Sequence, residues 1–145
     1  MITINKELKK SQYSLGEEIF NSISHGLGTV LAGAALALLI VFAFLYGNVW
    51  SIISAIIYGV TLVLLYVMST LYHAFQNDKV KKIFRIFDHC SIFLLIAGTY
   101  TPYLLVLLRG TLGWTLFGIT WGVAILGIIF NSISVDKFKY VSLIC

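Results

Sequence analysis

Polar and apolar positions alternate along this chain on the scale of a membrane rather than of a strand. After Glu18 no Asp, Glu, Lys or Arg occurs until Asp78, an uncharged run of 59 residues. Twenty more uncharged residues separate Asp88 from Arg109, and 26 separate Arg109 from Asp136. One helical crossing takes about 20 apolar residues. The first run therefore holds two crossings, divided at the Gly47-Asn48 turn signal, and each later run holds one. The pattern predicts spans over about residues 26–46, 51–75, 88–108 and 111–133. A further apolar stretch opens at Tyr140 and stops at Cys145. The expectation is thus an all-α integral membrane protein with four complete transmembrane helices plus the start of a fifth, cut off there. Residues 1–13 read as a flexible polar N-terminus, and 14–145 as one membrane domain.

Finer spacing adds detail to each element. Ser14 and Glu17 stand in capping-box spacing, which starts a lead-in helix. Glu18, Asn21, Ser22 and His25 fall within about 100° of arc on it. Gly26, Gly28, Ala32, Gly33, Ala34 and Ala35 leave the start of span one open to close helix approach. Trp50 sits where an interface anchor belongs. Span two ends with Ser69 and His73, four apart and so on one face. Gln76 to Phe87 reads as a basic loop. On span three Asp88, Ser91, Leu95, Thr99 and Pro102 form one stripe, and Pro102 is expected to kink the helix near Thr99 and Thr101. Gly118 and Gly122 make a GxxxG on span four, with Asn131 and Ser132 capping its far end.

Composition narrows the class. Of 145 residues 59% are hydrophobic and only 11% charged, and the mean hydropathy of +0.95 lies outside the range of soluble domains. The net charge of +4 belongs to membrane topology and points to no nucleic-acid partner, because nine of the ten Lys and Arg residues fall in the N-terminal segment and two loops on one side. Arg109 alone marks the other. The N-terminus and both basic loops are therefore expected in the cytosol. Cys90 and Cys145 have no metal-type or redox spacing partner.

Topology gathers the chemistry. His25 begins span one, His73 ends span two, and Asp88 and His89 open span three, so these residues, Glu18 and Ser69 converge on the cytosolic edge. Ionisable groups at that depth are functional candidates. Imidazoles beside a carboxylate and a hydroxyl suit a zinc site with a bound water: neutral imidazoles as ligands, Asp88 as a ligand or water-orienting group, and Ser69 orienting the water. A Ser-His-Asp triad is a rival without an oxyanion hole, and interfacial histidines satisfied by backbone or water are the plainest alternative. These residues alone leave all three open.

The same residues carry a resemblance. Glu18-x-x-Asn21-x-x-Ser24-His25, then Ser69-x-x-x-His73, Asp88 at the start of span three, and Ala-Gly-Thr-Tyr-Thr-Pro at 97–102 resemble the bacterial hemolysin III family, within the superfamily of progestin and adiponectin receptors. The likeness runs from about residue 14 to the end. It implies the first part of a seven-helix bundle in the bacterial plasma membrane, with a cytosol-facing zinc. His73 would be one zinc ligand, and Ser69 and Asp88 would flank the metal-bound water. Glu18, Asn21 and His25 would form a supporting polar cluster. The two remaining ligands of the family come from a His-x-x-x-His in the seventh helix, which this sequence lacks, so it reads as C-terminally truncated. The implied function is zinc-dependent hydrolysis of a membrane lipid amide. The alternatives are a pore-forming or membrane-perturbing cytolysin, and an inactive fragment. The implied partner is membrane lipid, and the small-residue faces of spans one and four suit packing against a second copy.

Overall fold

A computed structural model describes residues 13–133. It is all helical, with helices α1 (Leu15–Tyr46), α2 (Val49–Ala74), α3 (Asp78–Pro102) and α4 (Gly110–Ile133), and a π-helical segment, Tyr103–Leu108, between the last two. Four helical stretches are long and apolar enough to cross a membrane, the third being α3 with its π extension. The expected fifth span and the loop before it lie outside the described residues.

Local chemistry fixes the ends. The Ser14 hydroxyl accepts from the Glu17 amide while the Glu17 carboxylate accepts from the Ser14 amide, a complete capping box. Asn48 caps α2 through the amides of Trp50 and Ser51, and Asn77 caps α3 through those of Lys79 and Val80. Only residues 75–77 separate α2 from α3. The expected loop at 76–87 is therefore mostly helix: once Asn77 has capped it, no breaker occurs before Pro102, and the basic residues extend α3 beyond the apolar run.

Pro102 does more than kink its helix. It has no amide proton, the Tyr103 amide turns back to the Tyr100 carbonyl, and the chain continues as π-helix until the Arg109 amide bonds to the Leu104 carbonyl at 3.2 Å. Thr99 and Thr101 donate to the carbonyls of Leu95 and Ala97. Arg109 (φ 35°) and Gly110 (φ 70°) then reverse the chain.

Neighbours in sequence are neighbours in space: α1 packs on α2, α2 on α3, and α3 on α4, with the π segment touching α2, α3 and α4. Glycine sets the closest approaches, since lipid supplies no hydrophobic drive between helices and small residues decide contact. A Cβ on Gly28 would lie 2.6 Å from the Tyr66 ring and one on Gly127 2.6 Å from the Phe93 ring, while one on Gly98 would run into the Thr61 hydroxyl. Gly33, Gly118 and Gly122 face open space. The GxxxG of α4 thus makes no helix contact among the described residues, while in the early small-residue stretch Gly26 faces Thr70, Gly28 faces Tyr66 and Ala32 is buried. The buried line of α3 runs through Cys90, Ser91, Ala97, Gly98 and Thr101, with Thr99 turned outward. Asn131 and Ser132 do not cap α4. They lie within it, Asn131 donating to Cys90 Sγ and Ser132 standing 3.5 Å from the same sulfur. At the opposite end of the molecule Trp50 meets Trp114 edge to face at 5.3 Å.

Candidate functional site at the histidine end

The start of α1, the end of α2 and the start of α3 meet at one end, and each contributes one charged or titratable group. Glu18, on the first turn of α1, is 2% exposed. His73, on the last turn of α2, is 7% exposed and places Nδ1 2.7 Å from Glu18 Oε2. Lys81, on the first turn of α3, donates from Nζ to the other carboxylate oxygen, Oε1. An acid at a helix start and an imidazole at a helix end both suit the helix dipole. A carboxylate ion-paired to Lys81 can only accept hydrogen bonds. The Nδ1 nitrogen of His73 therefore carries a proton, and in the neutral form of the ring Nε2 is the nitrogen left with a lone pair.

Aromatic rings fix the plane of that imidazole. His25 stacks parallel on His73 at 5.7 Å and 6°. Tyr13 meets it edge-on at 5.7 Å, and Tyr72 packs beside it at 4.7 Å. Glu18 and His25 are seven apart on α1, two turns along one face, so a single helix supplies both the carboxylate and the stacking ring. Lys81 also lies over the Tyr72 ring, 5.3 Å from its centroid, a cation–π contact.

The other expected site residues fall nearby without joining this network. Ser69 is buried one turn before His73. Asp88 is half-buried. Its carbonyl accepts from the Ser91 hydroxyl at 2.6 Å, but no hydrogen bond or ion pair links its carboxylate to His73 or Ser69. The Tyr72 phenol lies within electrostatic reach of Glu18, Arg85 and Asp88 alike. Asn21 is half-buried on the Glu18–His25 face, and the Ser22 hydroxyl beside it points to the Thr70 carbonyl at 3.5 Å. Lys81, Tyr72 and Tyr13 were not among the site residues expected from sequence. The charge of Lys81 reads, in the sequence, as part of a basic loop that sets topology. Counting back from Asp88 in helical steps of three and four leads to Arg85 and Lys81, and that signal is readable only if α3 is extended through the basic stretch.

The haemolysin-III related family model matches residues 13–145 of the sequence. The chain belongs to that family. Hemolysin-3 of Bacillus cereus is 50% identical over 129 residues, covering 89% of this chain and 59% of that protein. The Hemolysin-3 homolog of Bacillus subtilis (strain 168) is 48% identical over 130 residues, covering 90% and 61%. The chain thus spans about three fifths of the length of these curated relatives. No solved structure matches it. Membership and the four apolar helices together make it a multi-pass membrane protein. The zinc that hemolysin III membership implies can be tested against the donors at hand. Among the described residues no three His, Cys, Asp or Glu side chains come together as a metal-binding group. Nε2 of His73 has the right chemistry for one ligand. Its carboxylate neighbour is bound to Nδ1 and Lys81, and the nearest imidazole is stacked rather than convergent. These residues do not by themselves fit a zinc ion.

Proposed function

We infer that the protein carries an acid–base centre that hydrolyses a membrane lipid amide at the cytosolic edge of the plasma membrane, with His73 as its reactive imidazole. The observation that carries this reading is the Glu18–His73 pair, held by Lys81 at a helix junction (2.7 Å between Nδ1 and Oε2). With its proton held at Nδ1, His73 presents Nε2 to accept a proton from water as the water adds to the amide carbonyl. It then returns that proton to the departing amine, and Glu18 stabilises the imidazolium between the two steps. Ser69 and Asp88 flank the region from α2 and α3 and serve to orient water and substrate. The inward-facing basic end supports the cytosolic assignment through the bias of Lys and Arg.

The test is hydrolysis of an N-acylsphingosine by the 145-residue chain in lipid nanodiscs. His73→Ala is expected to lower turnover at least ~100-fold, in the range of a lost general base. Glu18→Gln is expected to lower it ~10–100-fold, in the range of a lost orienting partner. Turnover that persists unchanged in His73→Ala would rule this reading out.

A further inference from the structure

The outward side of α3 changes character along its length. Tyr100, Ile96 and Ile92 are exposed on it. Followed toward the start of the helix in steps of three and four, the same face carries His89, Arg85 and Lys82. His89 and Arg85 are half-buried, and Lys82 is exposed. One continuous face therefore runs from apolar to basic. Lys81 is next in sequence but turned about 100° away, and its ammonium goes to Glu18. Lys82 forms no ion pair among the described residues. Of the acids on α3, Asp88 falls on the Lys81 side and Asp78 stands a turn further out. Lys82 and Arg85 thus leave the stripe positive.

Depth matches that change to a lipid. Counted back from Leu108, beside the Arg109-Gly110 turn, about 30 Å of hydrocarbon at 1.5 Å per residue ends near Asp88. His89 thus lies at the boundary, with Arg85 about 4–5 Å and Lys82 about 9 Å beyond it. The headgroup layer is about 5–8 Å thick. A glycerophospholipid standing beside α3 brings its acyl chains to Ile92 and Ile96 and its phosphate to the level of Arg85. The Arg85 guanidinium has five N–H donors in a fork that suits phosphate. Above it, a choline headgroup would bring its own cation to Lys82, whereas a glycerol headgroup brings none. The stripe therefore favours a net anionic lipid, the kind that juxtamembrane basic residues attract in the cytosolic leaflet.

We propose that the Lys82–Arg85–His89 stripe docks one anionic glycerophospholipid of the leaflet at the histidine end, its phosphodiester beside Arg85 and Lys82 and its acyl chains along Ile92 and Ile96. The site lies on a different face of α3 from Lys81 and is independent of any reaction at His73. The probes are phosphatidylglycerol and phosphatidylcholine carrying the same diazirine acyl chain. Each is added separately, as a minor component, to phosphatidylcholine nanodiscs around the 145-residue chain, and cross-links are mapped by mass spectrometry. Phosphatidylglycerol is expected to label residues 89–96 at least fivefold more than phosphatidylcholine does, with no such excess on the outward face of α4. Lys82→Gln lowers the excess at least threefold, in line with the roughly fivefold that one Lys near an anionic surface is worth, and Lys82→Arg restores it. Lys79→Gln removes the same charge about 4–5 Å further out and about 60° around the helix, and leaves the excess unchanged. Lys82 and Lys79 are both exposed, so the variants keep their helical circular dichroism. Equal labelling by the two lipids, or an excess that survives Lys82→Gln, overturns the site. An equal fall in Lys82→Gln and Lys79→Gln also overturns it, because diffuse surface charge would then draw the lipid without a place to hold it.

Discussion

Glu18 is the residue on which three helices depend. It is buried, and both carboxylate oxygens are engaged, one by the α2 imidazole and one by the α3 ammonium. Removing one partner of a buried charge pair is far worse than never having built it, because the remaining charge is stranded. Glu18→Gln should therefore cost about 1–3 kcal/mol of stability, read as a lower temperature of aggregation in detergent. In a double-mutant cycle Lys81→Met should cost less in the Glu18→Gln background than in the native one. Equal costs in both backgrounds would mean that the two side chains are not energetically coupled. At this scale the sequence was informative about His73, Glu18 and His25, since helical spacing and topology bring them to one edge. It did not pair the His73 imidazole with the Glu18 carboxylate. Asp88 is close to His73 along the chain, whereas the pairing with Glu18 spans 55 residues and depends on how α1 lies against α2, which no local spacing encodes.

At the scale of the element, hydropathy located all four spans, and local spacing gave the Ser14 cap and the Gly47-Asn48 turn, because apolar length, capping and turn chemistry are local properties. It drew the start of α3 ten residues late, since a charge-rich helix projecting beyond the bilayer has the composition of a loop. It also could not tell a glycine that packs from one that faces lipid. The Gly118–Gly122 pair has the familiar spacing and meets nothing, while Gly98, in no GxxxG, lies against Thr61. Gly98→Leu should separate α2 from α3 and cost about 1–3 kcal/mol, as overpacking does. Gly118→Leu should be neutral in the 145-residue chain. Thermal unfolding followed by size-exclusion chromatography compares the two directly, and a loss in Gly118→Leu as large as in Gly98→Leu would contradict this packing.

At the scale of the whole molecule, four antiparallel crossings put the start of α1, the α2–α3 junction and the end of α4 on one side, with the Gly47-Asn48 and Arg109-Gly110 turns on the other. In a background without Cys90 and Cys145, single cysteines at Ser14 and Asn77 should react with an impermeant maleimide only after the cytosolic face is opened. One at Thr111 should react in intact cells. The reverse pattern would invert the orientation. Metal content belongs to this scale too. A ligand set that the described residues do not assemble should leave the purified 145-residue chain below ~0.2 zinc per polypeptide by elemental analysis, against the three donors a catalytic zinc ordinarily takes. A value near one that falls with His73→Ala would show that donors from elsewhere complete the site.

The length of α1 has one more consequence. Its 32 residues span about 48 Å, against a hydrocarbon layer of about 30 Å. With Tyr46 at the far interface, the apolar layer ends near Gly26, and Glu18 stands about 12 Å beyond it. With an interfacial layer about 5–8 Å thick, the Glu18–His73 pair is thus screened by protein while standing at the aqueous edge of the headgroups. Water reaches that level from the bulk, so the hydrolysis proposed for His73 would need no conduit through the bilayer. The bonds within reach are those that lipids carry close to their polar end, and the buried tails stay out of range.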